Sequence, residues 1–137
     1  MPTRDYGLMR KLKTLTALNE DISLEYPAFD NILVAVRKMV RETTFDICEM
    51  PITTYLCAKG FGNPMTAIPV FLTRNFHHGA IFHDTGSGIR NPKDLEGKTV
   101  GVNRGYTVTT GVWARHVLAT EHGVDLEQIR WAATDDE

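Results

Sequence analysis

The spacing of hydrophobic positions changes several times along the 137-residue chain, and each change marks a predicted element. From Pro27 onward Phe29, Ile32, Leu33, Val36, Met39 and Val40 recur at helical spacing, while Asp30, Arg37, Lys38 and Arg41 fall elsewhere on the wheel. This is the clearest helix in the chain. Ahead of it, "LKTLTAL" (12–18) alternates apolar and polar residues around β-formers and predicts a first strand. "TFDICEM" (44–50) reads as a second strand, followed by Pro51, which suits the first turn of a helix "ITTYLCAKG" that Gly60 stops. "MTAIPVFLT" (65–73) is an almost unbroken apolar run of strand length, the pattern of a strand covered on both faces.

Further along, "AIFHD" (80–84) reads as another short strand and "TGSGIRNP" (85–92) as a connection. "DLEGKTVGV" (94–102) sets a glycine turn before a strand, and "TVTTGVWARHVLATEHG" (107–123) places Val108, Val112, Trp113 and Leu118 on a helix ending at Gly123. "IRWAA" (129–133) closes as a strand. Strands alternating with helices imply an α/β layered fold with a mostly parallel sheet and flanking helices.

Composition narrows the function classes. With 42% hydrophobic and 23% charged residues the chain has ordinary globular usage, which excludes a disordered or fibrous protein. Its net charge of −2, with no basic run beyond "RKLK" at 10–13, lacks the footprint of a nucleic-acid binder. No stretch has the length and apolarity of a signal peptide or a bilayer span, so the expectation is a cytoplasmic chain without a membrane partner. Cys48 and Cys57, nine residues apart with no CxxC spacing, read as reduced packing residues.

Three short motifs lose their apparent meaning on closer reading. "GKT" at 97–99 has Pro92 where a phosphate-binding loop needs glycine, and a strand follows it rather than a helix. "GSG" at 86–88 lacks the third glycine of a dinucleotide fingerprint. His77 and His83 on one extended segment would stand roughly 20 Å apart, with His78 facing the other way, so one strand cannot gather them around a metal.

The surviving signal is topological. In open α/β sheets ligands settle outside the carboxyl ends of the strands. Three such places are predicted: Glu49 to Thr53, Arg74 to His78, and Asn103 to Thr110. The last combines the N–H groups of a helix start with the hydroxyls of Tyr106, Thr107, Thr109 and Thr110, a setting that favours carboxylate or phosphate. Arg74 adds a bidentate fork for the same group. A small anionic ligand is the partner this chemistry points to. Blander roles compete: a surface ion pair for Arg74, an N-cap for Thr107 or Thr109, a solvated strand end for Glu49, and core packing for Trp113 and Trp131.

Taken together, "FDICEM" with "ITTYL", "IPVFLTRNFHHGAI", "GIRNPKDLEGKTVGV" and "GYTVTTGVWAR" resemble the 4,5-dihydroxyphthalate decarboxylase family, within the type II periplasmic-binding-protein-like superfamily. The resemblance covers roughly residues 30–137. It implies two α/β lobes closing on a ligand: residues 1–84 as most of the first lobe, 85–93 as the crossover, and 94–137 as the beginning of the second. Family members are longer, so the implied fold is an incomplete two-lobe one and the chain a fragment. Where the family pattern has a second arginine before the motif histidine this chain has His77, which puts the substrate's charge in question; where it has glycine after "WAR" this chain has His116, a change at the helix surface.

The implied activity is nonoxidative removal of a carboxylate from a hydroxylated aromatic ring, which intrinsically requires no organic cofactor. On this resemblance Arg74 and the Tyr106 to Thr110 helix start hold carboxylate groups, Thr53 and Glu49 contact the substrate with Glu49 accepting from a ring hydroxyl, and His77 or His78 is the general acid. Competing expectations are a solute-binding or sensor protein using the same residues without chemistry, and an inactive truncated product. A homo-oligomer is compatible with either.

Overall fold

A computed structural model describes residues 1–15 and 19–134. Among these, helices α1 (Gly7–Leu12), α2 (Ile32–Glu42) and α3 (Ile52–Gly60) precede strand β1 (Thr99–Val102), helix α4 (Thr109–His122) and strand β2 (Arg130–Ala133). The class is α/β, with a two-stranded parallel sheet and flanking helices. The chain divides into two units, Met1–Arg74 and Asn75–Glu137.

In the first unit α2 forms as its apolar period demands. The Asn31 side chain accepts from the Leu33 amide at 3.0 Å and satisfies a first-turn donor, while Thr43, in the left-handed region at φ 51°, ends the helix. Ile32, Ala35, Val36 and Met39 are buried. Met39 joins Ala58 of α3 and Met65 in a core flanked by Val40, Phe45, Cys48, Met50 and Tyr55. Asn63 stitches this core together, donating to the Val40 carbonyl at 2.8 Å and accepting from the Met65 amide at 3.1 Å.

Four predicted strands of the first 84 residues do not form among the described residues. Leu12 ends α1 and Lys13 and Thr14 make a turn, so 12–15 is not strand, and 16–18 lies outside the described residues. Residues 44–50 turn instead of extending in a ladder, because Phe45, Cys48 and Met50 are drawn into the core under α2 and α3. The run 65–73 has no ladder partner, and Ile68, Val70 and Phe71 are exposed rather than covered on both faces. At 80–84 a 3-10 turn over His78–Ala80 leads into irregular backbone. Apolarity sets a preference for burial, whereas a strand also needs another backbone to pair with.

From Pro92 onward the second unit follows the prediction closely. A 3-10 turn over Pro92–Leu95 opens with Asp94 accepting the amides of Arg90 and Asn91 at 2.8 and 2.9 Å, which holds its carboxyl below the usual carboxylate range. Gly97 then turns the chain at φ +79°, a conformation glycine adopts at little cost, and β1 begins at Thr99. β1 and β2 pair in parallel with Val100 opposite Trp131, α4 serving as the crossover. Leu95, Leu118, Val124 and Ile129 form the core, with Ile89, Val100, Leu126 and Trp131 packed on it. Gly123, left-handed at φ +62°, ends α4 as predicted.

Candidate functional site

The loop Asn103–Val108 leaves the carboxyl end of β1 and feeds α4, the topological position where open α/β sheets present ligand-binding groups. Arg104 takes a left-handed φ of 63°, uncommon for a residue with a side chain, and its amide donates to the Thr134 hydroxyl at 3.1 Å, just past β2. That hydroxyl in turn reaches the Val102 carbonyl at 3.3 Å, so the carboxyl ends of both strands are tied together. Helix α4 starts at Thr109 after Val108, so neither Thr107 nor Thr109 is the N-cap. Tyr106 is half-exposed, and Thr107 and Thr110 are exposed.

Beneath Tyr106 lies a residue to which the sequence reading gave no role. Arg115 is only 7% exposed. Its guanidinium carbon lies 3.6 Å from the centroid of the Tyr106 ring and 5.6 Å from that of Trp131, and its Nη2 donates to the Tyr106 carbonyl at 2.6 Å. A desolvated cation on an aromatic face contributes about 2 kcal/mol. Burial pulls the Arg115 guanidinium pKa down, and the Tyr106 group opposes that effect. Nη1 is buried with no hydrogen-bond partner among the described residues. The available signal was Gly111, one turn ahead of Arg115: a Cβ there would meet Val102 Cγ1 at 2.8 Å and Arg115 Nη1 at 3.5 Å, so the glycine lets α4 press against β1 and the guanidinium.

The histidines are drawn to α4. His77 is half-buried and its ring stacks on Trp113, with centroids 6.4 Å apart and planes 4° from parallel, while His116 meets the same indole edge-on at 5.7 Å. His78 Nε2 lies 2.9 Å from the Glu121 carboxylate, an exposed pair. Trp113 is 43% exposed, so it serves as a platform for imidazoles rather than as core. The structure thus brings His77 and His78 onto one helix, and Tyr106 onto the start of that helix.

The remaining candidates belong to the first unit. Glu49 accepts from the Tyr6 phenol at 2.6 Å, the Arg4 amide at 2.9 Å and the Thr3 hydroxyl at 3.3 Å, with the Arg4 Nε at 3.4 Å. Desolvation, with this carboxylate's hydrogen bond and charge, pushes the Tyr6 phenol up to about 12, and burial pushes the Cys48 thiol up to about 11. Thr53 sits half-buried in the first turn of α3. Arg74 is exposed, its guanidinium 5.2 Å from the Phe71 ring centroid. No helix among the described residues is long and apolar enough to cross a membrane.

Comparison with known proteins gives this geometry a family. A Comamonas testosteroni protein named 4,5-dihydroxyphthalate decarboxylase is 38% identical over 92 residues, covering 66% of this chain and 28% of that protein. A Pseudomonas putida protein of the same name is 36% identical over 92 residues, covering 66% of this chain and 35% of its own. The chain thus spans about a third of the length of these relatives. Their name is that of the family its motifs resemble. No solved structure matches. The NMT1/THI5-like family matches residues 20–136, a stretch that holds α2, α3 and the whole β1–α4–β2 crossover, and the chain belongs to that family.

Proposed function

We propose that this chain carries substrate-binding and proton-donating elements of a nonoxidative decarboxylase for a hydroxylated aromatic carboxylate such as 4,5-dihydroxyphthalate, as part of a two-lobe, periplasmic-binding-protein-like fold. The observation that carries the reading is the loop Asn103–Val108: it lies at the carboxyl end of β1, holds Arg104 in a strained conformation, and delivers an exposed tyrosine to the start of α4. A helix start favours a carboxylate through its first-turn amides and dipole. The names of the relatives supply the substrate class.

On this reading the helix start at Tyr106 to Thr110 receives one carboxylate. In 4,5-dihydroxyphthalate each carboxylate stands para to a ring hydroxyl. Electron density from that hydroxyl flows to the carbon bearing the carboxylate, a proton is added there, and the carbon–carboxylate bond then breaks to release carbon dioxide and restore the aromatic ring. His77 is the preferred donor, because its ring nitrogens have no hydrogen-bond partner among the described residues whereas His78 is paired with Glu121.

The test is to incubate the intact chain with 4,5-dihydroxyphthalate and follow carbon dioxide and 3,4-dihydroxybenzoate together. Stoichiometric release of both supports the proposal. Saturable binding without either product moves the chain to a binding or sensor role, which the family match also accommodates.

A further inference from the structure

Arg115 is the only charged side chain buried among the described residues, and no carboxylate pairs with it there. An unpaired buried guanidinium is strongly unfavourable, so its retention calls for a compensating group. Its location sharpens the case. Although Arg115 is in the second turn of α4, its Nη1 reaches back beside Gly111 in the first turn, where the positive end of the helix dipole already lies. Two positive fields therefore converge on one spot, and Nη2 is already taken by the Tyr106 carbonyl. Nη1 is left without one among the described residues.

We propose that Arg115 is the anion-receiving guanidinium of the second unit, Nη1 binding an oxygen of a carboxylate or phosphate at the start of α4, with the Tyr106 ring as its movable cover. The cover is half-exposed and is held by the guanidinium stack and an edge contact to Trp131 at 6.4 Å. Swinging it aside opens Nη1 while the carbonyl bond to Nη2 keeps the guanidinium in place. An aromatic carboxylate suits the vacated position twice over, since its ring can take the place of the phenol on the guanidinium face. The inference deepens the decarboxylase reading and rests on it only for the aromatic part of the ligand; inorganic phosphate offers the same charge chemistry.

The experiment titrates phthalate and, separately, inorganic phosphate into the intact chain, with calorimetry for affinity and nitrogen–proton NMR for the arginine side-chain Nε–H. Arg115 Nε–H should shift saturably with either probe. Arg115→Met should weaken binding of either probe at least tenfold. Unchanged affinity in Arg115→Met, an Arg115 resonance that stays fixed at saturation, or no binding of either probe overturns the proposal. Should Arg115→Met fail to fold, the resonance in the parent chain decides. Arg115-dependent binding of phosphate alone upholds this inference and removes the aromatic reading, whereas turnover of 4,5-dihydroxyphthalate that survives Arg115→Met does the reverse.

Discussion

The phenol of Tyr6 donates to the carboxylate of Glu49 at 2.6 Å, a bond that spans 43 positions of the chain. The Arg4 amide and the Thr3 hydroxyl donate to the same carboxylate, whose side chain is 10% exposed. Glu49 therefore holds the amino-terminal segment against the first unit. Glu49→Ala strands these donors and should lower stability by about 2–4 kcal/mol, with Glu49→Gln costing less because it keeps an acceptor. Chemical denaturation followed by circular dichroism measures both.

The same corner should make the first unit sensitive to alkali. Tyr6 and Cys48 both have folded-state pKa values above their ordinary ones, at about 12 and about 11. The folded protein thus keeps protons that the unfolded chain releases, so stability is constant below the ordinary thiol and phenol values and falls as pH rises above them, through about 11 and then about 12. Tyr6→Phe should remove the upper part of that decline and Cys48→Ala the lower. Denaturation midpoints measured from pH 8 upward separate the two.

Gly111→Ala tests how closely α4 approaches β1. Alanine is the better helix former by about 1 kcal/mol. Its methyl group would nevertheless sit 2.8 Å from Val102 Cγ1. Overpacking of this kind costs about 1–3 kcal/mol, so the variant should come out less stable than the parent despite its helical advantage. Thermal melts read the sign directly.

His77→Gln and His78→Gln separate the candidate acids. Loss of a positioned general acid lowers turnover by about a hundredfold or more. That loss should appear in carbon dioxide release by His77→Gln. His78→Gln should instead weaken an exposed contact to Glu121 that is worth less than about 1 kcal/mol. The opposite pattern of turnover would hand the role to His78.

What could be read from the sequence was what local chemistry decides. The period of Ile32 to Val40, Pro51 ahead of α3, the Gly97 turn and the Gly123 stop all act within a few residues, and the structure places helices and turns accordingly. Residues 44–50 and 65–73 could not be settled that way, since their β-formers are compatible with a strand but no backbone pairs with them in a ladder among the described residues. The site divides along the same line. Tyr106 and the helix start were visible because a loop after a strand announces itself. Arg115 was not, because its importance comes from burial against Tyr106 and Trp131, contacts that spacing along α4 does not reveal.

The chain has two tryptophans, and each stands beside a different candidate group: Trp113 stacks with His77, and Trp131 lies against Tyr106 and near Arg115. Indole emission responds to a charge arriving on or leaving its face. Replacing either ring by phenylalanine therefore leaves one fluorophore, and the two single-tryptophan proteins would report imidazole protonation and anion arrival on separate optical channels, with no label attached.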